Sequence, residues 1–481
     1  MKPFKILAAV VTVCVAVFVG GCSDEAPSGL PQSGLGGNSV IKYVAIGNSL
    51  TAGYQSGALY EDAQLYSFPN IIAQQLTKAG ASLGKFEQPI WGNPGSPDAA
   101  GKAARYELIS LDGPVIGPRG VAAGTPTNTA LARPYDNLGI PGAVVYDFLD
   151  TTEFIAKAAA RQNPFFPHVL RSAPFGKSIF EQLKNMSPKP DIVTFWLGNN
   201  DVLGFATSGG VNPNAPTSTA VFGALYAQAL DSLRAALPNA KIVVANIPDV
   251  RAIPYFTTVG PAVAADLKGT FAVSYQKHGT TGPGDGSSYL TEQNPPLLIL
   301  PSSSYVTQIG TATGKYYSSN NKSVPAGIDT TAMFGLNYLN PIPDALILDS
   351  AEQATAANAI AAYNQTIAQV AAAKNAAVVD INAIFNSIKK NGYNISGEMY
   401  TADYVSGGLF SLDGVHPSSR GAGIVANEFI KVMNAKFGMS IPYVDVTTLP
   451  GIPAPLAKYA ESKFRPRLNS AAAKHIQDIW K

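Results

Sequence analysis

Apolar positions along this chain fall into two patterns that take turns. The first is the short, dense run. Tyr43-Val44-Ala45-Ile46 and Ile192-Val193-Thr194-Phe195-Trp196 are rich in β-branched and aromatic residues and end at glycine or turn residues, as strands buried on both faces do. Tyr135–Ile140, Lys241–Ile247 and Ala377–Ile381 show the same pattern, which gives five strands. The second pattern has apolar residues three and four positions apart. Ile71, Ile72 and Leu76 follow Ser67 and Pro69, a helix start; a helix is expected over residues 216–236; Ile360, Tyr363, Ile367 and Val370 mark another; Val425, Phe429, Val432 and Met433 mark the last. Strands alternating with helices predict an α/β fold, a parallel sheet with helices on both faces. In such folds functional groups gather outside the carboxyl ends of the strands.

Three stretches break the alternation. Residues 85–133 are irregular, apart from Asp112-Gly113 between Leu108-Ile109 and Val115-Ile116, which predicts a hairpin. Residues 251–345, between the fourth and fifth strands, are rich in Gly, Ser, Thr, Tyr, Asn and Pro. A parallel crossover needs only about a dozen residues, so this stretch is expected to be a lid-like insertion that covers or shapes the site. Residues 441–481 form a C-terminal extension with no functional signal.

The N-terminus reads as an export signal. Lys2 and Lys5 precede the apolar run Ile6–Val19, which falls short of the roughly 20 residues that span a bilayer. Val19-Gly20-Gly21-Cys22 then resembles a bacterial lipoprotein signal. Residues 1–21 would be removed and Cys22 would carry the lipid, anchoring the protein in the bacterial cell envelope, at the outer membrane or the cell surface. Residues 22–39, rich in Gly, Ser and Pro, are expected to be a flexible tether, and the folded domain to span 40–440. Ser23-Asp24-Glu25, beside the lipid site, resembles the surface-export signals of some Bacteroidetes lipoproteins.

Composition narrows the chemistry. The 481 residues are 46% hydrophobic and only 14% charged, enough apolar surface for a large core. Without Lys2 and Lys5 the basic and acidic residues balance, so nothing in the charge favours a nucleic-acid partner. Of the two cysteines, Cys14 lies in the signal and Cys22 at the lipid site, which leaves no disulfide. No Gly-rich phosphate loop with a lysine is present, and no His, Cys and carboxylate set has metal-ligand spacing in the sequence, so neither a metal nor a cofactor is expected.

Four short motifs fall, in order, at the predicted strand ends or before the last helix. They are Gly47-Asn48-Ser49-Leu50, Asn137-Leu138-Gly139-Ile140-Pro141-Gly142-Ala143, Gly198-Asn199-Asn200-Asp201 and Asp413-Gly414-Val415-His416-Pro417. Each alone is common; Ser49 by itself could simply cap a helix. Together they resemble blocks I, II, III and V of the SGNH/GDSL hydrolases, a family of serine esterases and lipases. The resemblance implies a flavodoxin-like three-layer sandwich: a five-stranded parallel sheet, helices on both faces, and the long insertion between strands 4 and 5.

It also implies roles. Ser49 would be the nucleophile, His416 its base, and Asp413 the carboxylate that orients the imidazole. The backbone N–H groups of Ser49 and Gly142 and the side-chain amide of Asn200 would form the oxyanion hole. Asp201 is expected to orient the loop that holds Asn200. His168, His278 and His475, the remaining histidines, lie in Pro-rich or tail contexts, and no acidic partner is expected for them. One departure stands out: Asn48 occupies the place of the family's usual aspartate. Asn keeps the shape and hydrogen bonding without the charge, so activity is expected to survive.

The expected activity is hydrolysis of carboxylic esters through an acyl-enzyme. Lipid acyl, aryl and acetyl-glycan esters all stay open as small-molecule substrates, with the Tyr-rich insertion favouring the first two. The alternative is a surface lipoprotein that keeps the fold with an idle site and binds glycan or a protein partner.

Overall fold

The computed structural model describes residues 34–110, 115–118, 120–267, 273–284, 289–290, 297–395, 397–451 and 467–468. The signal segment, Cys22, the Asp112-Gly113 turn and His475 lie outside the described residues.

The central sheet has five strands: β1 (Tyr43–Gly47), β2 (Asn137–Gly139), β3 (Ile192–Trp196), β4 (Lys241–Ala245) and β5 (Ala377–Val379). All pair in parallel, in the spatial order β5-β4-β3-β1-β2. This is a doubly wound order whose direction reverses between β1 and β3, where such sheets open a crevice for ligands. β2 is shorter than the Tyr135–Ile140 expected. Its ladder nevertheless reaches further, since Asp136 O accepts from Ala45 N at 2.9 Å and Ile140 N donates to Gly47 O at 3.0 Å.

The helices that frame the sheet are α1 (Ser49–Ala52), α2 (Phe68–Lys78), α3 (Asn200–Thr207), α4 (Thr219–Ala236), α5 (Ser350–Ala373), α6 (Ile381–Asn391) and α7 (Ser419–Phe437). Adjacent residues of a strand point to opposite faces, and β3 shows what each face meets. Trp196 packs against Phe68 of α2 and Phe429 of α7, with ring centres 5.7 and 6.0 Å away. Phe195 points the other way and meets Tyr226 of α4 edge-on at 5.7 Å. On that second face Phe222 of α4 stacks on Tyr363 of α5 at 3.9 Å. The sheet is thus the middle of three layers, and its strands carry large apolar side chains on both sides because both sides are covered.

Helix starts follow local chemistry. Ser67 caps α2 by accepting from Asn70 N at 3.4 Å. Ser218 does the same for α4 toward Val221 N, so the helix begins three residues later than the apolar pattern suggests. Asp349 and Glu352 form a reciprocal capping box on α5.

Two expected boundaries shift. The tether does not run to residue 39: Leu35 is buried and Gly34 O accepts from Ser440 N at 2.6 Å. The folded domain does not stop at 440 either, since Val446 is buried and Asn427 exchanges two hydrogen bonds with Val444. The predicted hairpin pairs as expected, with Tyr106–Ser110 antiparallel to Val115–Pro118. The insertion folds into short pieces: Val273–Ser274 pairs antiparallel with Tyr289–Leu290, and Leu297–Leu298 pairs antiparallel with Ile347–Leu348, just past its end. It packs beside the loop that carries His416, through Tyr255 N to Gly414 O at 2.9 Å.

Candidate active site

Ser49 is the first residue of α1, directly past the end of β1. Asn48 caps that helix, its Oδ1 accepting from Leu50 N at 3.1 Å. The charge of an aspartate is therefore not needed for the cap. Gly47, just before the cap, has no positive φ. What it provides is room: a Cβ there would lie 2.0 Å from Thr51 Oγ1 and 2.9 Å from Trp196 O. Any larger residue would push α1 off the sheet.

Ser49 Oγ lies 2.8 Å from His416 Nε2, and His416 Nδ1 lies 2.9 Å from Asp413 Oδ2. All three residues are buried. Asp413 Oδ1 also accepts from the backbone N–H groups of Val415 and His416, each at 2.9 Å. Burial works to raise the Asp413 pKa, but the imidazole and these N–H groups outweigh it and hold the carboxyl below its ordinary value. It stays ionised, which fixes a proton on His416 Nδ1 and leaves Nε2 to take the hydroxyl proton. The Tyr54 ring, 4.8 Å from the imidazole, walls the other side.

The histidine loop is stitched to the chain just past the nucleophile. Gly57 N donates to Asp413 Oδ2 at 3.1 Å, Ser56 N to Ser411 Oγ at 2.9 Å, and Leu412 N to Ser56 Oγ at 3.2 Å. Base and nucleophile are 367 residues apart in sequence, yet a few hydrogen bonds between two short loops set their distance.

Around Ser49 lie donors without assigned work. No hydrogen bond among the described residues takes the backbone N–H of Ser49 or of Gly142. Gly142 has φ +80°, and a Cβ there would meet Asn163 Nδ2 at 2.7 Å, so only glycine presents this N–H in this way. Asn200 begins α3 at the end of β3. Its Nδ2 gives one proton to Ala143 O at 2.9 Å and keeps a second. These groups come from the ends of β1, β2 and β3, the neighbouring strands at the switch point.

Residues 43–280 match the model of the GDSL-like lipase/acylhydrolase family. This stretch is a GDSL-like lipase/acylhydrolase domain. The chain is similar to several solved structures. One is a catalytic mutant of Axe2, an acetylxylan esterase from Geobacillus stearothermophilus, at 13% identity over 84% of this chain and 96% of that one, with a TM-score of 0.33. Another is LAE5, an alpha/beta hydrolase enzyme from the metagenome of Lake Arreo, at 12% identity over 84% and 99%, TM-score 0.33. A third is a Clostridium thermocellum family 3 carbohydrate esterase, at 13% over 83% and 97%, TM-score 0.28. Likeness at this level bears on neither substrate nor residue roles. No curated protein matches the chain.

As a GDSL-like ester hydrolase, the protein needs a place for the acid and alcohol parts of its substrate. A cleft opens at Ser49 and His416. Leu203 of α3, Ile247 and Val250 past β4, Ile253 and Phe385 of α6 make most of its wall apolar. These positions carry no motif, and the apolar pattern alone does not separate them from core. Among the described residues of the long insertion Ile253 alone lines the cleft; the rest of the wall comes from loops and helices at the strand ends.

Asp201 does more than orient its own loop. Its carboxylate accepts from Val145 N at 3.0 Å and from Thr217 Oγ1 at 2.9 Å. The other histidines separate clearly. His168 Nε2 faces Pro89 O at 3.0 Å, and burial pushes its pKa down to about 4. His278, expected to lack an acidic partner, in fact has Glu352 Oε1 at 2.8 Å from Nδ1. The sequence hid this pair because it joins the insertion to the first turn of α5. Among the described residues His278, Asp344 and Glu352 also form a metal-ligand set, which sequence spacing did not reveal.

Proposed function

We propose that this GDSL-family esterase cleaves carboxylic esters with an apolar acyl group through an acyl-enzyme on Ser49. The observation that carries this is the chain of contacts Ser49 Oγ–His416 Nε2–Asp413, at 2.8 and 2.9 Å. Ser49 Oγ attacks the ester carbon while its proton passes to His416 Nε2. The carbonyl oxygen becomes an oxyanion, which the N–H groups of Ser49 and Gly142 and the Asn200 amide stabilise. Collapse breaks the bond to the alkoxy oxygen, and the alcohol leaves with the proton from His416. Water then attacks the acyl carbon, gives its proton to His416, and the acid departs as Ser49 recovers its hydrogen.

The apolar cleft supports an acyl chain of several carbons over acetyl. Each buried methylene adds about 0.8 kcal/mol to binding, and a wall of Leu203, Ile247, Val250, Ile253 and Phe385 accepts several. The location follows from the N-terminus: export, cleavage before Cys22 and a lipid anchor there. Hydrocarbon burial at about 0.8 kcal/mol per methylene makes release from the membrane negligible once several acyl chains are attached.

A series of p-nitrophenyl esters from acetate to octanoate, beside acetylated xylan, tests the substrate. We expect kcat/KM to rise from acetate over the next several carbons. Preference for acetylated xylan would overturn the acyl-length reading and leave ester hydrolysis standing. No turnover of any ester, with wild type equal to Ser49→Ala, would favour an idle binding lipoprotein. For the anchor, Cys22→Ser should leave an uncleaved precursor in cell fractions; wild-type protein recovered soluble with a free N-terminus elsewhere than residue 22 would rule it out.

A further inference from the structure

Three ligand-type side chains converge away from the catalytic cleft. One carboxylate oxygen each of Asp344 and Glu352 and a ring nitrogen of His278 all lie within 4.8 Å of one another. The two carboxylates are buried, 6% and 1% exposed, while His278 opens to solvent. Asp344 Oδ2 accepts from Gly279 N at 3.2 Å, but its buried Oδ1 has no partner among the described residues. Glu352 Oε2 accepts from Asp349 N at 2.7 Å, leaving Oε1 to face His278. A third carboxylate adjoins: Asp349 Oδ2 accepts from His278 N at 3.2 Å, and its Oδ1 accepts from Glu352 N at 2.9 Å.

We propose that His278, Asp344 and Glu352 bind a divalent cation of the zinc or manganese kind. The donor set fits: one imidazole nitrogen and two carboxylate oxygens, which such ions take at about 2.0–2.2 Å. Two donors on one such ion stand at most about 4.2 Å apart, and the three atoms here lie within 4.8 Å of one another. Calcium would need six to eight oxygens, far more than the three side chains supply. With three protein ligands, water completes the shell. The charge balance points the same way. Two buried carboxylates stand side by side in this corner, with the exposed His278 ring beside them to offset their charge. A divalent cation between them offsets that like charge.

The cation would act as a clamp. His278 lies in the insertion, Asp344 at its return and Glu352 in the first turn of α5. Gly210, just past the C-terminal end of α3, packs so closely that a Cβ would lie 2.0 Å from Glu352 Oε1. α3 begins at Asn200 and is roughly 12 Å long at 1.5 Å per residue. The clamp therefore holds the far end of the helix that presents Asn200, and it ties the insertion to two helices.

Metal content and thermal unfolding of the full-length purified protein test this. After EDTA and desalting, adding Zn²⁺ or Mn²⁺ should raise Tm by at least about 2 °C, with close to one ion retained per chain after dialysis. Mg²⁺ and Ca²⁺ should have weaker effects. His278→Ala, at an exposed side chain, should fold and lose both the ion and the shift. Glu352→Gln should also lose the shift, while its metal-free form melts at or above the metal-free wild type, because a buried charge is gone. A purely structural role for Glu352 predicts the opposite, a lower metal-free Tm. No bound ion and no shift with any of the four cations would overturn the proposal. So would a shift that survives in His278→Ala and Glu352→Gln alike. Neither result bears on catalysis at Ser49.

Discussion

The Asp201 carboxylate accepts the backbone N–H of Val145 at 3.0 Å, and so binds the first turn of α3 to the loop that carries Gly142. Two of the three oxyanion donors we propose, the Gly142 N–H and the Asn200 amide, are thereby fixed against each other from behind the cleft. Asp201→Ala should lower kcat about tenfold or more with little change in KM, since misplacing donors weakens the transition state more than the substrate complex. Asp201→Asn keeps one acceptor for Val145 N and should recover most of the rate. Steady-state kinetics of both variants on one ester decides it, and equal rates for Ala and wild type would remove the coupling.

The same carboxylate sets a pH dependence of stability. Burial foremost, with the charge of Asp147 behind it, raises the Asp201 pKa to about 6, against the Val145 N–H and Thr217 hydroxyl that pull it down. The folded state thus holds this proton more tightly than the unfolded chain, whose carboxyl has an ordinary value. The contribution to stability is present in full below about pH 4 and is lost as pH rises through about 6. A shift of this size corresponds to something of order 3 kcal/mol. Urea unfolding at pH 4, 5, 6 and 7 should show Asp201→Asn gaining on wild type across that window. Parallel pH profiles would contradict it.

Ser49→Ala and His416→Ala should each abolish turnover and leave the fold intact, because the two share one proton transfer. The double variant should be no slower than either single one. Circular dichroism confirms folding and a chromogenic ester gives the rates; wild-type turnover in Ser49→Ala would refute the mechanism.

Asn200→Ala should lower kcat by about 10²–10³ with KM nearly constant, the effect of removing one donor to a developing oxyanion. A rise in KM alone would make Asn200 a ground-state binding group instead.

Asn48 tests the departure from the family motif. Asn48→Ala should cost about 1 kcal/mol through the lost cap to Leu50 N, read by urea unfolding. Asn48→Asp should keep the cap and turn over esters within a few-fold of wild type. A large rate gain in Asn48→Asp would mean that the charge matters after all.

How much of this was legible beforehand varies with the physics. The five strands stand out because each is buried on both faces, as Phe195 and Trp196 show by packing into opposite layers. The position of Ser49 is legible for a related reason: the strand ends there and a helix begins. The short helices were not. α3 follows a motif directly and its apolar residues, Leu203 among them, serve the cleft, whereas α6 carries Ile381, Phe385 and Ile388 at helical spacing but sits against the end of β5 and was not separated from it. The tether boundary was missed because Leu35 sits alone in a polar stretch, and one apolar residue makes no periodicity. The His278–Glu352 contact was invisible because its members belong to different elements. The lid-like role expected of residues 251–345 followed from length, and length does not say where a chain folds; among the described residues of that stretch Ile253 lines the cleft wall.

The stitches between Ser56, Gly57 and the Ser411–Asp413 stretch have a bearing on how this enzyme can be re-engineered. They set the spacing of base and nucleophile locally, so the long chain between them is not a ruler. Excursions grafted into or pruned from the exposed tips between β4 and β5 change what surrounds the scaffold without retuning its reactive pair. The architecture separates reactivity from accessory shape, which makes the crossover a natural place to graft new recognition elements.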